Sequence, residues 1–454
     1  MSKRDSKAIF ESLPVGKALY EMALPTIFSQ IVILIYNMAD TFFLGRTNDP
    51  YMVAGVSLLL PVFNISLSLA GLTGVGGGAL ISRLLGEKRE EEAKKVASFS
   101  FWLALGITAV FSLGMFAFLS PALRLLGASD DTFRYARQYA FCVIVLGGIP
   151  TVLSNVLSNL IRSVGLSRQA GLGITLGGLI NIALDPLFMF VLLPEGSEVL
   201  GVGVATLLSN CISCGYFLLV YRSVRRDAAL SLSLTVGLPE KKSVRSVFNV
   251  GLPSAVTTLL FDLDYIVIDR LMAGYGDVAL AAIGIVLKAE RLPLNVGIGL
   301  CQGMLPIVAY NFASGDHQRM RKTIRLALCA GLVVGAVSIA LYELFAGGIL
   351  RLFIGEAQTV RLGGAFLRVR CLATPLMFMS FFTVHVFQGF GKGNVALFLG
   401  VMRWLAFNIP MLFLLNALFG MNGIVWAQVS ADILTVILSF IVYRRYTRRL
   451  FAAT

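Results

Sequence analysis

Stretches of about eighteen or more mostly apolar residues recur from one end of this 454-residue chain to the other, and this recurrence constrains the fold more than any other feature. In hydrocarbon no water satisfies an exposed peptide group, so segments of this kind cross as helices, which close their hydrogen bonds internally. The apolar runs place approximate spans at 18–44, 51–82, 95–119, 134–158, 169–193, 199–221, 246–273, 278–311, 325–347, 362–388, 394–418 and 423–443. The fold class expected is therefore an all-α polytopic membrane protein of twelve transmembrane helices.

Composition enters as a check on that reading. Hydrophobic residues make up 57% of the chain, charged residues 14%, and the mean hydropathy is +0.81, which leaves no room for a large soluble domain. The net charge of +13 raises the question of nucleic acid. The basic residues answer it by falling in alternate loops, among them Arg83, Lys88, Arg89, Lys94 and Lys95, then Arg222, Arg225, Arg226, Lys241, Lys242 and Arg245. A cytoplasmic N-terminus puts about 26 of the 38 Lys and Arg on the cytoplasmic side. Topology and contact with anionic lipid explain the charge, and no nucleic-acid partner is expected. The six cysteines lie within apolar spans, so no disulfide framework is expected, and the Cys211-x-x-Cys214 spacing falls inside the sixth span as packing. The basic, polar N-terminal segment has no short apolar core followed by a cleavage site, so the first span serves as the insertion signal.

The longest polar connection, about 222–245, divides the chain near its middle. A shift of about 229 residues lays Asp40 on Asp269, Gly45 on Gly274, Gly74 on Gly303 and Gly86 on Gly315. This internal duplication predicts two parallel, pseudo-symmetric six-helix lobes, 1–221 and 246–454, joined by a cytoplasmic linker at 222–245 and flanking a central cleft. The cluster Gly74-Val-Gly-Gly-Gly78 has no βαβ context for a dinucleotide, and close helix packing accounts for it and for Gly299 and Gly303.

An ionisable side chain inside hydrocarbon is a candidate site until a partner is found for it. In the first half these are Asp40 in span 1 and Asp185 in span 5, the latter within Asn181-x-x-x-Asp185-Pro186. Asn181 and Asp185 are one helical turn apart and offer oxygens in one direction, to a proton or to Na⁺. Thr206 in span 6, with Asn155 and Asn159 on span 4, could complete a polar pocket. Two carboxylates in low dielectric resist joint ionisation, so a shared proton or a bound Na⁺ would neutralise Asp40 and Asp185. Pro25, fifteen residues before Asp40, could supply a bend in span 1 that follows that neutralisation or a static kink. The second half carries Asp262, Asp264 and Asp269 in span 7, Lys288, Glu290 and Arg291 in span 8, His385 in span 10 and Arg403 in span 11. Salt bridges between the span-8 charges and the span-7 aspartates are the expected arrangement. Asp262 and Glu290 remain candidates for an ion or substrate site, and His385 for a proton relay or a packed neutral side chain.

Ala23-Leu-Pro25 followed by Tyr36-Asn-Met-Ala-Asp40-Thr-Phe-Phe-Leu-Gly45, with Gly299-Leu-Cys-Gln-Gly-Met-Leu-Pro-Ile-Val-Ala-Tyr-Asn311, resembles the multidrug and toxic compound extrusion (MATE) family over essentially the whole chain. Gln388-Gly-Phe-Gly-Lys392 and Asn422-Gly-Ile-Val-Trp426 look most like its bacterial MepA-like branch. The resemblance implies a secondary active antiporter in a prokaryotic inner (cytoplasmic) membrane, multi-pass with both termini cytoplasmic. It would export organic cations or amphipathic drug-like molecules by alternating access, in exchange for H⁺ or Na⁺, as a monomer without a cofactor. It also implies Asp40, Asn181, Asp185 and Thr206 as the coupling-ion set, with Na⁺ possible at the first three. Tyr36, Asn155, Asn159, Asp262, Glu290 and His385 line the expected cleft. No acidic residue in span 10 matches the family's C-lobe cation site. A flippase for lipid-linked oligosaccharide is the alternative within the superfamily. A channel or a membrane-embedded enzyme ranks lower, since no metalloprotease, nucleophile-elbow or phosphate-loop pattern is present.

Overall fold

The computed structural model describes residues 3–47, 49–225 and 229–452, with side chains from residue 7 to residue 448. Arg226, counted above among the linker charges, lies outside the described residues. Every regular element among the described residues is helical. Ten helices are long and apolar enough to cross a membrane unaided, and two bent pairs bring the number of spans to twelve. In chain order span 1 is Val15–Gly45, span 2 Pro50–Gly86, span 3 Glu90–Ala117, span 4 Asp130–Leu146 with Gly148–Ser163, span 5 Ser167–Leu192 and span 6 Glu198–Val224. Span 7 is Lys241–Ala273, span 8 Asp277–Ala313, span 9 His317–Arg351, span 10 Ala357–Cys371 with Thr374–Gly389, span 11 Gly393–Phe419 and span 12 Met421–Arg448.

The helix starts follow local chemistry. The Asp49 carboxylate accepts from the Tyr51 amide ahead of Pro50, Ser129 and Thr132 form a capping box at span 4, and Asp316 accepts from the Arg319 amide at span 9. Spans 4 and 10 are not the straight helices that unbroken apolar runs suggest: they bend by 47° and 45°. In span 4 a π-helical segment, Phe141–Leu146, widens the coil just before the break, and in span 10 Pro375 occupies the first turn of the second piece and cannot continue the first. Span 1 runs uninterrupted through Pro25.

The two halves meet where side chains are smallest. A Cβ on Gly251 of span 7 would lie 1.8 Å from the Leu72 carbonyl oxygen of span 2, so only glycine lets these backbones touch. The packing repeats with the sequence: span 2 lies on span 7 and span 1 on span 8. Gly71 faces Ser254 across one seam as Gly299 faces Ile27 across the other.

One end of the molecule is fastened more heavily. Arg89 pairs with Glu240 at 2.6 Å, and the nearly buried Glu92 carboxylate of span 3 accepts from the Glu240 amide at 2.8 Å and the Ser243 hydroxyl at 2.6 Å, capping span 7 from another helix. The segment before span 7 is held to span 3 as well, by Ser98 to the Ser233 carbonyl and the Trp102 indole to the Leu232 carbonyl, both at 2.9 Å. Arg83 of span 2 reaches the Ser246 hydroxyl at 3.0 Å and fills the notch at Gly391, whose φ is +70° and whose missing Cβ would sit 1.8 Å from the guanidinium. Gly391→Ala is therefore expected to cost about 1–2 kcal/mol for the left-handed backbone plus the displacement of Arg83. A lowered midpoint of thermal unfolding in detergent checks it, and an unchanged midpoint would contradict the packing described.

Candidate functional site

The carboxyls of Asp40 and Asp185 lie within hydrogen-bonding reach of each other. They meet because span 5 presents glycine to span 1: a Cβ on Gly178 would stand 2.7 Å from the Val32 side chain and 3.1 Å from the Tyr36 ring. One turn along span 5, the Asn181 amide nitrogen donates to Asp185 Oδ1 at 3.2 Å and stands 3.5 Å from the Thr206 hydroxyl of span 6. Asp185 is wholly buried and Asn181 is 2% exposed. Pro186 and a π-helical turn, Phe188–Leu192, follow at once, an irregularity of the kind that gathers at functional sites. Tyr36 stands beside the pair, and so does Tyr139 of span 4, which is close enough to interact electrostatically with Asp40, Tyr36 and Asp185.

The unsatisfied atoms indicate what this group can hold. Asp40 Oδ1, Asp185 Oδ2 and Asn181 Oδ1 are buried acceptors with no donor among the described residues. Buried oxygens without a donor suit a proton or a hard monovalent cation. Sodium fits the donor set, which is all oxygen, and no group of three or more His, Cys, Asp or Glu suited to a metal occurs among the described residues.

The other cleft candidates lie elsewhere. The Asn155 and Asn159 amides donate to the Thr151 and Asn155 carbonyls of their own helix, both at 2.9 Å, and Asn159 Oδ1 accepts from Arg162. They make no hydrogen bond to the Asp40 group among the described residues. In the second half, Glu290 pairs with Arg370 of span 10 through two bonds of 2.8 Å, so its neutralising charge comes from outside the cluster of span-7 aspartates and span-8 charges in which it was expected to be balanced. The geometry decides it: a planar guanidinium takes a carboxylate with two parallel bonds, and the Tyr265 hydroxyl donates a further one at 3.2 Å. Arg291 does face span 7, lying 5.0 Å over the Tyr265 ring with Asp262 and Asp269 in electrostatic range. Asp262 lies across the seam from Asn64 of span 2. Glu290 also borders a small cavity with Pro293, Met377, Phe378 and Phe381. His385 Nδ1 lies 2.8 Å from the Phe381 carbonyl oxygen, the arrangement of a packed histidine.

A second buried network joins spans 7, 11 and 12. Arg403 donates to Asp432 at 3.0 Å, Gln428 to Asp432 at 2.6 Å, and Asn408 to Asp264 at 2.6 Å and to Gln428 at 3.3 Å. Arg370, Asn408, Gln428 and Asp432 were missed in the sequence. Asp432 sits in mid-span and was open to the same rule that singled out Asp40, as was Arg370 in span 10. Tyr139 had no comparable signal, because it follows Arg137 and Gln138 in a polar stretch where a tyrosine is unremarkable.

Comparison with known proteins bears on the whole chain. The profile of the family described as MatE matches residues 25–187 and again 253–414. Among relatives, the chain is 30% identical over 435 residues to the multidrug export protein MepA of Staphylococcus haemolyticus, covering 96% of this chain and 94% of that protein. It is 28% identical to MepA of Staphylococcus aureus over 95% of this chain and 94% of that one. A solved structure described as the outward-facing conformation of a multidrug resistance MATE family transporter of the MOP superfamily superposes with a TM-score of 0.93, at 23% identity and complete coverage of both chains. With the family's profile matched in both halves and its fold reproduced end to end, the chain belongs to the MATE family and is related to the MepA export proteins.

Proposed function

We propose that this protein is a secondary active multidrug efflux antiporter of the bacterial cytoplasmic membrane. It exports cationic and amphipathic small molecules in exchange for H⁺ or Na⁺, working as two lobes, 1–221 and 246–454, linked through 222–245. The observation that carries the reading is the approach of Asp40 to Asp185 amid acceptors that lack donors. Two carboxylates this close, one of them wholly buried, do not both stay ionised without a proton or a cation between them. Span 1 packs on span 5 of its own half and on span 8 of the other, so the charge state at Asp40 is felt where the halves meet. That is what coupling an ion to a change of access requires. Cationic cargo suits a cleft whose exchangeable charge is negative, and the names of the MepA relatives point to drug-like molecules.

The test is transport of a fluorescent organic cation by the purified protein in liposomes, under an imposed pH gradient or an imposed Na⁺ gradient. Movement driven by one gradient alone, with counterflow of that ion in fixed ratio, is expected and names the ion. Downhill movement indifferent to both gradients would sink the antiport reading. Movement of lipid-linked sugar with none of the cation would put a flippase in its place.

A further inference from the structure

The helix Lys3–Glu11 precedes span 1 and lies across the seam between the halves. Ile9 and Phe10 are each 2% exposed, in a cluster with Ala18 and Met22 of span 1, Ile307 and Tyr310 of span 8 and, at its edge, Leu85 of span 2. The Phe10 ring stacks on that of Tyr310 with centroids 4.8 Å apart and planes 10° from parallel. The Tyr310 hydroxyl donates to Glu11, and Arg319 of span 9 donates to the Ile9 carbonyl at 2.9 Å. On the other side Lys7 pairs with Glu90 of span 3 at 2.8 Å. Only Ser12, Leu13 and Pro14 separate the helix from span 1, so it is carried by the first half. Its buried side chains nevertheless pack on both halves, and two of its polar bonds reach the second.

We propose that this helix is a latch: it holds the seam between spans 1 and 8 shut at this end, and Phe10 must leave Tyr310 before the end can open. The latch rests on the alternating-access reading, because only a seam that opens needs one. The bonds divide by task. Lys7–Glu90 keeps the helix on the half that carries it, and Phe10, Ile9 and Glu11 grip the half that moves away. The grip is mainly apolar, so it persists at high salt, whereas the Lys7 pair, with the lysine half-exposed, is screened.

The readout is chemical and independent of transport. Ala23 of span 1 is 3% exposed and stands at the seam, where a Cβ on Gly303 of span 8 would come within 2.5 Å of its Cα. In the full-length protein with all six cysteines replaced by alanine and Ala23→Cys introduced, the rate at which a water-soluble maleimide modifies position 23 reports parting of spans 1 and 8. No substrate or gradient is present. Phe10→Ala removes a buried aromatic contact and is expected to raise that rate on the order of tenfold. Tyr310→Phe keeps the ring and loses only the bond to Glu11, giving a smaller rise, and Lys7→Ala leaves the rate unchanged. A Phe10→Ala rate equal to that of the parent would overturn the latch, as would equal increases in Phe10→Ala and Lys7→Ala. A folded, monodisperse Tyr310→Phe variant with no increase would also count against it if Phe10→Ala fails to fold. Failure of cation transport in liposomes touches the proposed function and leaves this measurement standing.

Discussion

Arg370→Leu is expected to lower folding stability by about 3–5 kcal/mol. The change strands Glu290, 5% exposed, without the guanidinium that takes both of its oxygens. The Tyr265 hydroxyl, at 3.2 Å, offers one neutral hydrogen bond in place of two charged ones. Desolvation decides the outcome: an unpaired buried carboxylate costs several kcal/mol, far more than the pair gains over a well-packed apolar substitute. The double variant Glu290→Leu/Arg370→Met is therefore expected to recover most of the loss. Thermal unfolding in detergent of the two singles and the double gives the cycle. A double variant no more stable than Arg370→Leu would mean that the pair contributes by attraction rather than by mutual neutralisation.

The second large effect belongs to transport. Asp185→Asn leaves the shape of the site nearly unchanged and removes one of its two ionisable groups, so gradient-driven export of an organic cation is expected to fall to the level of protein-free liposomes. Its neighbours bring smaller losses, and geometry sets their order. Asn181→Ala deletes one bond of 3.2 Å to a carboxylate, worth about 1–3 kcal/mol, and is expected to weaken ion dependence roughly tenfold while coupling survives. Thr206→Val deletes a contact of 3.5 Å, at the limit of a hydrogen bond, and changes ion dependence within about threefold. Initial rates across a series of pH or Na⁺ concentrations read all three variants. Coupled export by Asp185→Asn at the native rate would move the ion site away from this pair.

Much of this architecture was legible before any coordinates, because hydrocarbon permits so few backbone solutions. Twelve apolar runs correspond to twelve spans, and the glycines of spans 2, 7 and 8 stand where backbones touch. Asn181 and Asp185 share a face as their spacing suggested, and Asp40 and Thr206 join them as the family resemblance implied. What escaped was whatever depends on a partner far away in the chain. Nothing near Glu290 announces Arg370, eighty residues on, in preference to Lys288 and Arg291 beside it. Asn155 and Asn159 stand in an apolar run with no visible partner, yet the amide of each donates to the carbonyl one turn back, a bond that leaves no trace in composition. The bend of span 4 did have a local mark, Gly147-Gly148-Ile149-Pro150 at the break, which an unbroken apolar run outweighs when spans are read by hydropathy.

The ties of Glu92 to span 7 have a mechanical meaning. The segment from Leu232 to Ser243 is pinned at several points to span 3, so it is a stiff strut rather than a slack rope, and the two halves cannot simply be drawn apart along it. A door fixed on one side turns about that side. Span 7 would act as the hinge post and the edge formed by spans 1 and 8 would swing free, so lengthening the connection with flexible residues should matter less than cutting the pins that hold it.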